Sequence, residues 1–354
     1  MSLSFFDSNM LSALIRIALT TGTILGVIVY LMVWAERRVS AFIQGRLGPN
    51  RVGPLGLLQG LADGVKFIFK EELMPSEANK FLFLLAPFAA VLPAILAFAP
   101  VPYGMKIIDG NVVPAAIANL DVGVLFVLSV TSLGVFSIIL GGWASNSKYP
   151  VLGGLRAAAQ VISYEIPMGL AIMAVLLVAG TTNLTEIVQL QSEGAWFVLI
   201  CPIGFLIFVV SIFAETNRLP FDMPEGETEI IGFHAEYSSM KFAMFFMAEY
   251  ANMVTASCIA VLLFLGGWEF LPFVSWSKLS AVAGVSIYEQ GFWWLLPVAW
   301  FMAKVSFVLI LFIWVRWTLP RFRYDQLMRL GWKKLIPLSL LNIVITMLIV
   351  MWVV

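Results

Sequence analysis

Charged residues are scarce in this sequence, and cysteine and histidine are scarcer still. Of 354 residues, 12% are charged and 61% are hydrophobic, whereas soluble domains average about 25% charged and roughly 45–50% apolar. Such a chain cannot cover its surface with polar groups, which excludes an ordinary soluble protein and predicts a lipid environment. Because 21 basic residues balance 21 acidic ones, no nucleic-acid partner is expected.

The few cysteines and the single histidine exclude several kinds of site. Cys201 and Cys258 both lie inside apolar runs, where cysteine is typical of a small buried hydrophobic residue. They indicate neither a disulfide framework nor a metal site. His234 is the only histidine, and one histidine cannot build a zinc site. We therefore expect no metal on this chain.

Long apolar runs are what the sequence does contain. About 18–24 apolar residues in a helix cross roughly 30 Å of hydrocarbon, and the alternating pattern of barrel strands is absent. We predict an all-α, polytopic membrane protein that forms a single transmembrane domain over residues 1–354. Its eight transmembrane helices are expected at 11–33, 81–99, 122–140, 160–178, 196–213, 242–265, 293–314 and 336–353.

The basic residues predict the orientation of these helices. Seventeen lysines and arginines lie in the odd-numbered loops, and only Lys106 and Lys278 lie in the even-numbered ones. Cytoplasmic loops carry the excess of basic residues, so we expect both termini on the outer side. The expected cytoplasmic loops are about 34–80, 141–159, 214–241 and 315–335.

The first of these loops contains an amphipathic segment, GLLQGLADGVKFIFKEE, residues 56–72. On a helix its polar residues share one stripe and its apolar residues share the opposite side. This pattern predicts a helix that lies in the membrane interface. Its polar face either contacts solvent, as in a surface anchor, or faces a site. The polar stripe comprises Gln59, Asp63, Lys66 and Lys70.

The fifth loop contains an unusually acidic segment at residues 214–237. This segment contains Arg218 as its only arginine or lysine against six carboxylates: Glu215, Asp222, Glu225, Glu227, Glu229 and Glu236. Crowded carboxylates raise one another's pKa, which favours protonation near neutral pH and suits proton transfer. A solvated docking surface explains the same composition, and spacing does not decide between the two.

Three ionisable residues fall inside predicted helices. Glu165 lies early in the fourth helix, Glu249 in the sixth and Lys304 near the middle of the seventh. A charge at such depth costs several kcal/mol unless it is paired or hydrated, so these residues are candidates for function. A buried structural ion pair between Glu249 and Lys304 is the alternative.

Four segments together identify a family. The segment at 56–72, PFDMPEGETE (220–229), ERRVSAFIQGRLGPNRVGP (36–54) and RWTLPRFRYDQLMRLGWKKLIPL (316–338) resemble the heel subunit of respiratory complex I. This membrane subunit is known by the letter H in bacteria and as subunit one in mitochondria, and the similarity extends from about residue 30 to 340. The resemblance implies a chamber for ubiquinone or menaquinone, and middle helices that resemble half an antiporter module.

The resemblance also implies roles for individual residues. Glu36, Arg37, Gln59, Asp63, Lys66 and Arg316 would form the quinone chamber or its entrance. Glu215, Asp222, Glu225, Glu227 and Glu229 would lie beneath it, and Glu165, Glu249 and Lys304 would continue a proton path into the membrane. Since no complete active site is expected on this chain alone, electrons would arrive from iron–sulfur subunits of the peripheral arm, with no flavin or iron–sulfur cluster here.

The expected partners are those peripheral-arm subunits, adjacent small membrane subunits and the lipid of a bacterial inner membrane rather than a mitochondrial one. Two alternatives remain open. One is the equivalent membrane subunit of a membrane-bound hydrogenase or formate hydrogenlyase, which lacks a quinone site. The other is a stand-alone proton antiporter that uses Glu165, Glu249 and Lys304.

Overall fold

The computed structural model describes residues 22–108, 111–223, 232–234, 236–283, 293 and 295–353. Nearly all of them lie in helices or short connections. The elements in chain order are α1 (Val29–Ile43, preceded by the π-helical turn Ile24–Ile28), α2 (Gln59–Phe69), α3 (Lys80–Leu96), β1 (Met105–Ile108), β2 (Asn111–Pro114), α4 (Gly123–Ser132), α5 (Gly134–Ala144), α6 (Lys148–Ala179), α7 (Leu184–Glu193), α8 (Phe197–Ile200), α9 (Pro202–Glu215), α10 (Ser239–Phe264), α11 (Trp276–Ala283), α12 (Leu295–Thr318), α13 (Tyr324–Leu330) and α14 (Ile336–Val353).

In the described part of the chain, five helical segments are long and apolar enough to cross a membrane. They are Gly123–Ala144, Lys148–Ala179, Ser239–Phe264, Leu295–Thr318 and Tyr324–Trp352. The shorter helices α3 and α9 are also apolar. The first predicted span, 11–33, begins outside the described residues and continues as α1. The prediction of an all-α, polytopic membrane protein is confirmed.

Several boundaries differ from the predicted ones. Helix α1 continues ten residues past the predicted end at 33. Helix α6 begins at Lys148 rather than at 160 and has 32 residues, which is about 48 Å of helix, longer than the hydrocarbon is thick. Most of the predicted loop 141–159 is therefore helical. The same holds for 324–335, because α13 runs through a π-helical turn into α14.

Two predicted spans each comprise two helices. In the third, α4 and α5 meet at Leu133, where the backbone keeps helical angles. The fifth divides at Cys201 into α8 and α9, where Pro202 begins the new helix and lacks the backbone N–H that the preceding turn would need. Such a break inside a membrane is tolerated where the backbone is buried in protein or lines a cavity.

Close helix packing at the α5–α6 turn requires a small residue. A Cβ added at Gly142 would lie 2.6 Å from the Pro150 carbonyl oxygen, so only glycine allows the two helices to approach this closely. Helix α6 then packs along α5, α9 and α14, and α10 packs against α3 and α12. After α3, β1 and β2 form an unpredicted antiparallel hairpin in which Met105 pairs with Pro114.

Helix α2 confirms the predicted amphipathic segment. It lies against α1 and α10, while Leu61 and Ile68 on its apolar side are 60% and 62% exposed. Exposed apolar side chains on one face, opposite a polar stripe, are typical of a helix that lies in the lipid interface.

Candidate functional site

A cavity of about 490 Å³ lies between α1, α2 and α10. Its walls are mostly apolar, and Arg37 and Asp63 form one polar edge. This volume and this combination of apolar walls with few polar groups are typical of small-molecule sites. The other lining residues include Val29, Tyr30, Val33, Gly64, Phe67, Met247 and Tyr250.

Side chains of α1 and α10 hold α2 over this cavity. The Tyr30 hydroxyl donates to the Leu57 carbonyl, and the Ser239 hydroxyl donates to the Phe67 carbonyl at 2.8 Å. These bonds fix both ends of α2. Gly60 makes the approach possible, because a Cβ there would lie 2.9 Å from the Tyr30 ring.

The predicted polar stripe of α2 meets α1 at the cavity edge. Asp63 accepts a hydrogen bond from Arg37 and another from Gln59 at 3.1 Å, and the Lys66 ammonium lies 3.8 Å from its carboxylate. The structure thus brings together four of the predicted chamber residues. Of these, Arg37 and Asp63 line the cavity.

Glu36 and Arg316 do not line this cavity, in contrast to the prediction. Because α1 continues as a helix, Glu36 falls on its buried face with Val29, Met32 and Ser40 and is only 7% exposed. Arg316 donates a hydrogen bond to the Glu36 carboxylate, and the buried Arg218 guanidinium lies 3.8 Å from it. These three side chains form a charge cluster in which Glu36 and Arg218 are buried and Arg316 is partly exposed.

Tyr250 separates this cluster from the cavity. Its side chain lines the cavity, and its hydroxyl donates to the Glu36 carboxylate at 2.5 Å. The Arg218 guanidinium also lies over its ring, 4.3 Å from the centroid. Sequence reasoning missed Tyr250, because an aromatic residue in an apolar helix is most often a core residue.

Two of the predicted carboxylates meet inside the helix bundle. Glu215 at the end of α9 and Glu249 of α10 line one cavity of about 50 Å³ with Asn217 and Asn252. That space is large enough for ordered water, and its lining is polar enough to bind it. Glu215 also lines a second cavity, of about 30 Å³. The two carboxylates therefore share a small, hydratable polar site.

The end of α4 joins Glu165 to this site. Ser132, the last residue of α4, donates a hydrogen bond to Glu165, and its neighbour Thr131 bonds Glu215. The adjacent hydroxyls of Thr131 and Ser132, at the end of α4, thus contact Glu215 and Glu165. Glu165, Glu215 and Glu249 form a polar series across α6, α4, α9 and α10.

Asp222 lies away from that series. It is 3% exposed and binds Arg321 of the α12–α13 connection at 2.8 Å, while the Phe322 amide donates to the Pro220 carbonyl. These contacts join two connections between helices and indicate a structural role for Asp222. The predicted residues Glu225, Glu227 and Glu229 lie outside the described residues.

Lys304 is far from Glu249, so the alternative of an ion pair between them is wrong. Its ammonium donates to the carbonyls of Leu265, Gly267 and Glu269 at 2.7, 3.1 and 2.6 Å. Leu265 follows Glu249 by sixteen residues, about 24 Å along the helix. A cation among carbonyls at a helix C-terminus is favoured by their unpaired acceptors and by the helix dipole.

Lys304→Met is expected to destabilise the protein by about 1–3 kcal/mol or more, because three buried carbonyls lose their donor. The unfolding temperature in detergent measures the effect. Lys278→Met is a matched control, since the exposed Lys278 ammonium contacts one carbonyl, that of Phe273, at 3.1 Å. Equal unfolding temperatures for the two variants would contradict a structural role for Lys304.

Comparison with known proteins identifies the relatives of the chain. The NADH dehydrogenase family matches residues 15–347. A protein of Koribacter versatilis, named as an NADH-quinone oxidoreductase subunit of type H, is 49% identical, covering 96% of this chain and 97% of the relative. A protein of the same name from Solibacter usitatus is 45% identical over 99% of both chains. Another from Geobacter metallireducens is 49% identical over 90% of this chain and 89% of the relative.

These matches span nearly the whole chain and include the four segments on which the resemblance was based. None of the three relatives is named as a component of a hydrogenase or as an antiporter, so neither alternative gains support. With a family match over most of its length and relatives near half identity, this chain belongs to the NADH dehydrogenase family.

Proposed function

We propose that this chain is the quinone-binding membrane subunit of a proton-translocating NADH:quinone oxidoreductase, and that the cavity between α1, α2 and α10 is its quinone chamber. The observation that carries the proposal is an apolar cavity of about 490 Å³ beneath α2, in which Arg37 and Asp63 are the charged residues among the described ones that line it. The names of the relatives supply the substrate class.

The cavity suits a ligand with an apolar tail and a polar head. Its walls contain the apolar side chains of Val29, Val33 and Met247, which suit an isoprenoid tail. The N–H groups of Arg37 can donate hydrogen bonds to a quinone carbonyl. The lipid-facing side of α2 would admit such a ligand directly from the bilayer. Either ubiquinone or menaquinone fits this description.

Other subunits must complete the reaction. Cys201 and Cys258 are buried separately, so the electrons for quinone would come from iron–sulfur subunits of a peripheral arm. That arm would dock on the cytoplasmic side, and small membrane subunits would pack beside the helix bundle. We place the chain in a bacterial inner membrane with both termini outside, in line with its basic residues.

We further propose that Glu165, Glu215 and Glu249 form part of the route that couples quinone reduction to proton translocation. Support comes from the polar cavity that Glu215 and Glu249 share, and from the adjacent Thr131 and Ser132 hydroxyls, which bond Glu215 and Glu165 respectively. Carboxylates, hydroxyls and trapped water at hydrogen-bonding distance are the components of proton relays within membranes. Glu225, Glu227 and Glu229 would belong to the loop between this route and the chamber.

Gly64→Leu tests the chamber. Gly64 lines the cavity, and a Cβ there would meet no atom within 4 Å, so a leucine side chain would fill space that the ligand needs. Overpacking costs about 1–3 kcal/mol, which predicts a rise in the quinone KM of about 5- to 150-fold. NADH oxidation by an artificial acceptor at the peripheral arm should not change.

Gly169→Leu is the matched control for this test. Gly169 lies within α6, and a Cβ there also meets no atom within 4 Å, but it lies outside the cavity. It should leave the quinone KM unchanged. An unchanged KM in Gly64→Leu, with the complex assembled, would show that quinone does not occupy this cavity.

A further inference from the structure

The hydrogen bonds of Tyr250 fix the direction in which its hydroxyl can act. A tyrosine hydroxyl has one proton to donate and lone pairs that accept. In Tyr250 that proton is directed to the Glu36 carboxylate at 2.5 Å. An ionised carboxylate is a strong acceptor, and hydrogen bonds to it are roughly twice as strong as neutral ones. Any further hydrogen bond at the Tyr250 oxygen must therefore be one that the oxygen accepts.

The neighbourhood keeps the Tyr250 hydroxyl in this arrangement. Glu36 is fixed on its other side by Arg316 and lies 3.8 Å from Arg218. Arg218 also lies over the Tyr250 ring, so the ring and the carboxylate are held by the same guanidinium. Groups locked in this way are preorganised and do not reorient for a ligand without cost.

The two redox forms of the substrate differ in the hydrogen bonds that they can make. A quinone has carbonyl oxygens that only accept, whereas a quinol has hydroxyl groups that donate. An oxygen with only lone pairs available can bond the quinol and has nothing to donate to the quinone. Arg37, at the charged edge of the same cavity, carries only N–H donors and can bond the carbonyl of the quinone.

We propose that Tyr250 is a specificity-determining residue that recognises the reduced form of the substrate, a quinol, through a hydrogen bond from a quinol hydroxyl to the Tyr250 oxygen. This inference rests on the proposed quinone chamber. The chamber would then distinguish quinol from quinone at the Tyr250 hydroxyl oxygen. The cluster of Glu36, Arg218 and Arg316 holds this hydroxyl in place.

The experiment measures the affinities for quinone and for quinol in assembled complexes that carry Tyr250→Phe or the unchanged chain. Phenylalanine keeps the ring against Arg218 and the cavity wall, and it removes the hydroxyl alone. The inhibition constant of a short-chain quinol should rise about fivefold, the change that loss of about 1 kcal/mol gives. The KM of the corresponding quinone should change much less.

Tyr164→Phe serves as the control, because the buried Tyr164 hydroxyl donates to the Leu327 carbonyl at 2.9 Å, away from the cavity. It should alter neither constant. An unchanged quinol constant in Tyr250→Phe, or equal shifts of both constants, overturns the inference. Gly64→Leu tests the chamber separately, since it should raise both the quinone KM and the quinol inhibition constant. If neither constant rises, the chamber proposal fails and the inference about Tyr250 fails with it.

Discussion

Glu215→Gln is expected to lower quinone-linked turnover and proton translocation by at least about 100-fold, the lower end of what a positioned proton-transfer group contributes. Glutamine keeps the size of the side chain and an oxygen that can accept from Thr131. It cannot bind and release a proton. Since Glu215 shares a polar cavity with Glu249 and is bonded by Thr131, next to the Ser132 that bonds Glu165, its loss would interrupt the proposed route at its centre.

The measurement uses sealed membrane vesicles, in which quinone-linked NADH oxidation and acidification of the lumen are followed together. Glu186→Gln is a matched control, because Glu186 also accepts a hydrogen bond from a threonine, Thr181, at 2.5 Å, but lies exposed on α7. Oxidation by an artificial acceptor should be normal in both variants. Full turnover with full acidification in Glu215→Gln would remove Glu215 from the route.

Most of the fold could be predicted from the sequence, because the length of an apolar run reports directly on a lipid environment. Boundaries were predicted less well where helices continue beyond the membrane. The segment at 148–159 contains Lys148, Pro150 and paired glycines, which favour a loop locally. It is helical because it packs against other parts of the chain: a Cβ added at Gly153 would lie 3.0 Å from Gly232. Such tertiary contacts leave no periodic pattern.

The site was predictable only in part, for a related reason. Gln59, Asp63 and Lys66 lie on one helix, and their spacing alone predicted a shared stripe. Tyr250, in contrast, is 214 residues from its partner Glu36, and neither position indicates the other. The partners of Lys304 are backbone carbonyls, which no residue type reveals. Sequence patterns thus predicted which residues carry charge, but the partners of those charges depended on the fold.

Glu36→Gln is expected to prevent stable assembly of the complex. The carboxylate is buried and bound by Tyr250 and Arg316, with Arg218 at 3.8 Å. Its neutralisation would remove a negative charge from beside the buried Arg218 guanidinium and the partly exposed Arg316 guanidinium. Breaking a buried pair by removing one partner costs about 3–5 kcal/mol, a large part of the roughly 5–15 kcal/mol by which proteins are stable. The yield of intact complex from detergent-solubilised membranes measures this loss.

Asp63→Asn is the matched control for assembly, because it is the same kind of change at a carboxylate paired with an arginine. Asp63 is 20% exposed and its partner Arg37 is 47% exposed, and exposed pairs contribute only about 0–1 kcal/mol. Its complex should therefore assemble. The burial of the charges also predicts an order: Arg316→Gln keeps the Glu36 carboxylate beside Arg218 and changes a side chain that is 24% exposed, so it should be milder than Glu36→Gln. Equal yields for Glu36→Gln and Asp63→Asn would mean that water reaches the cluster and that its burial does not govern stability.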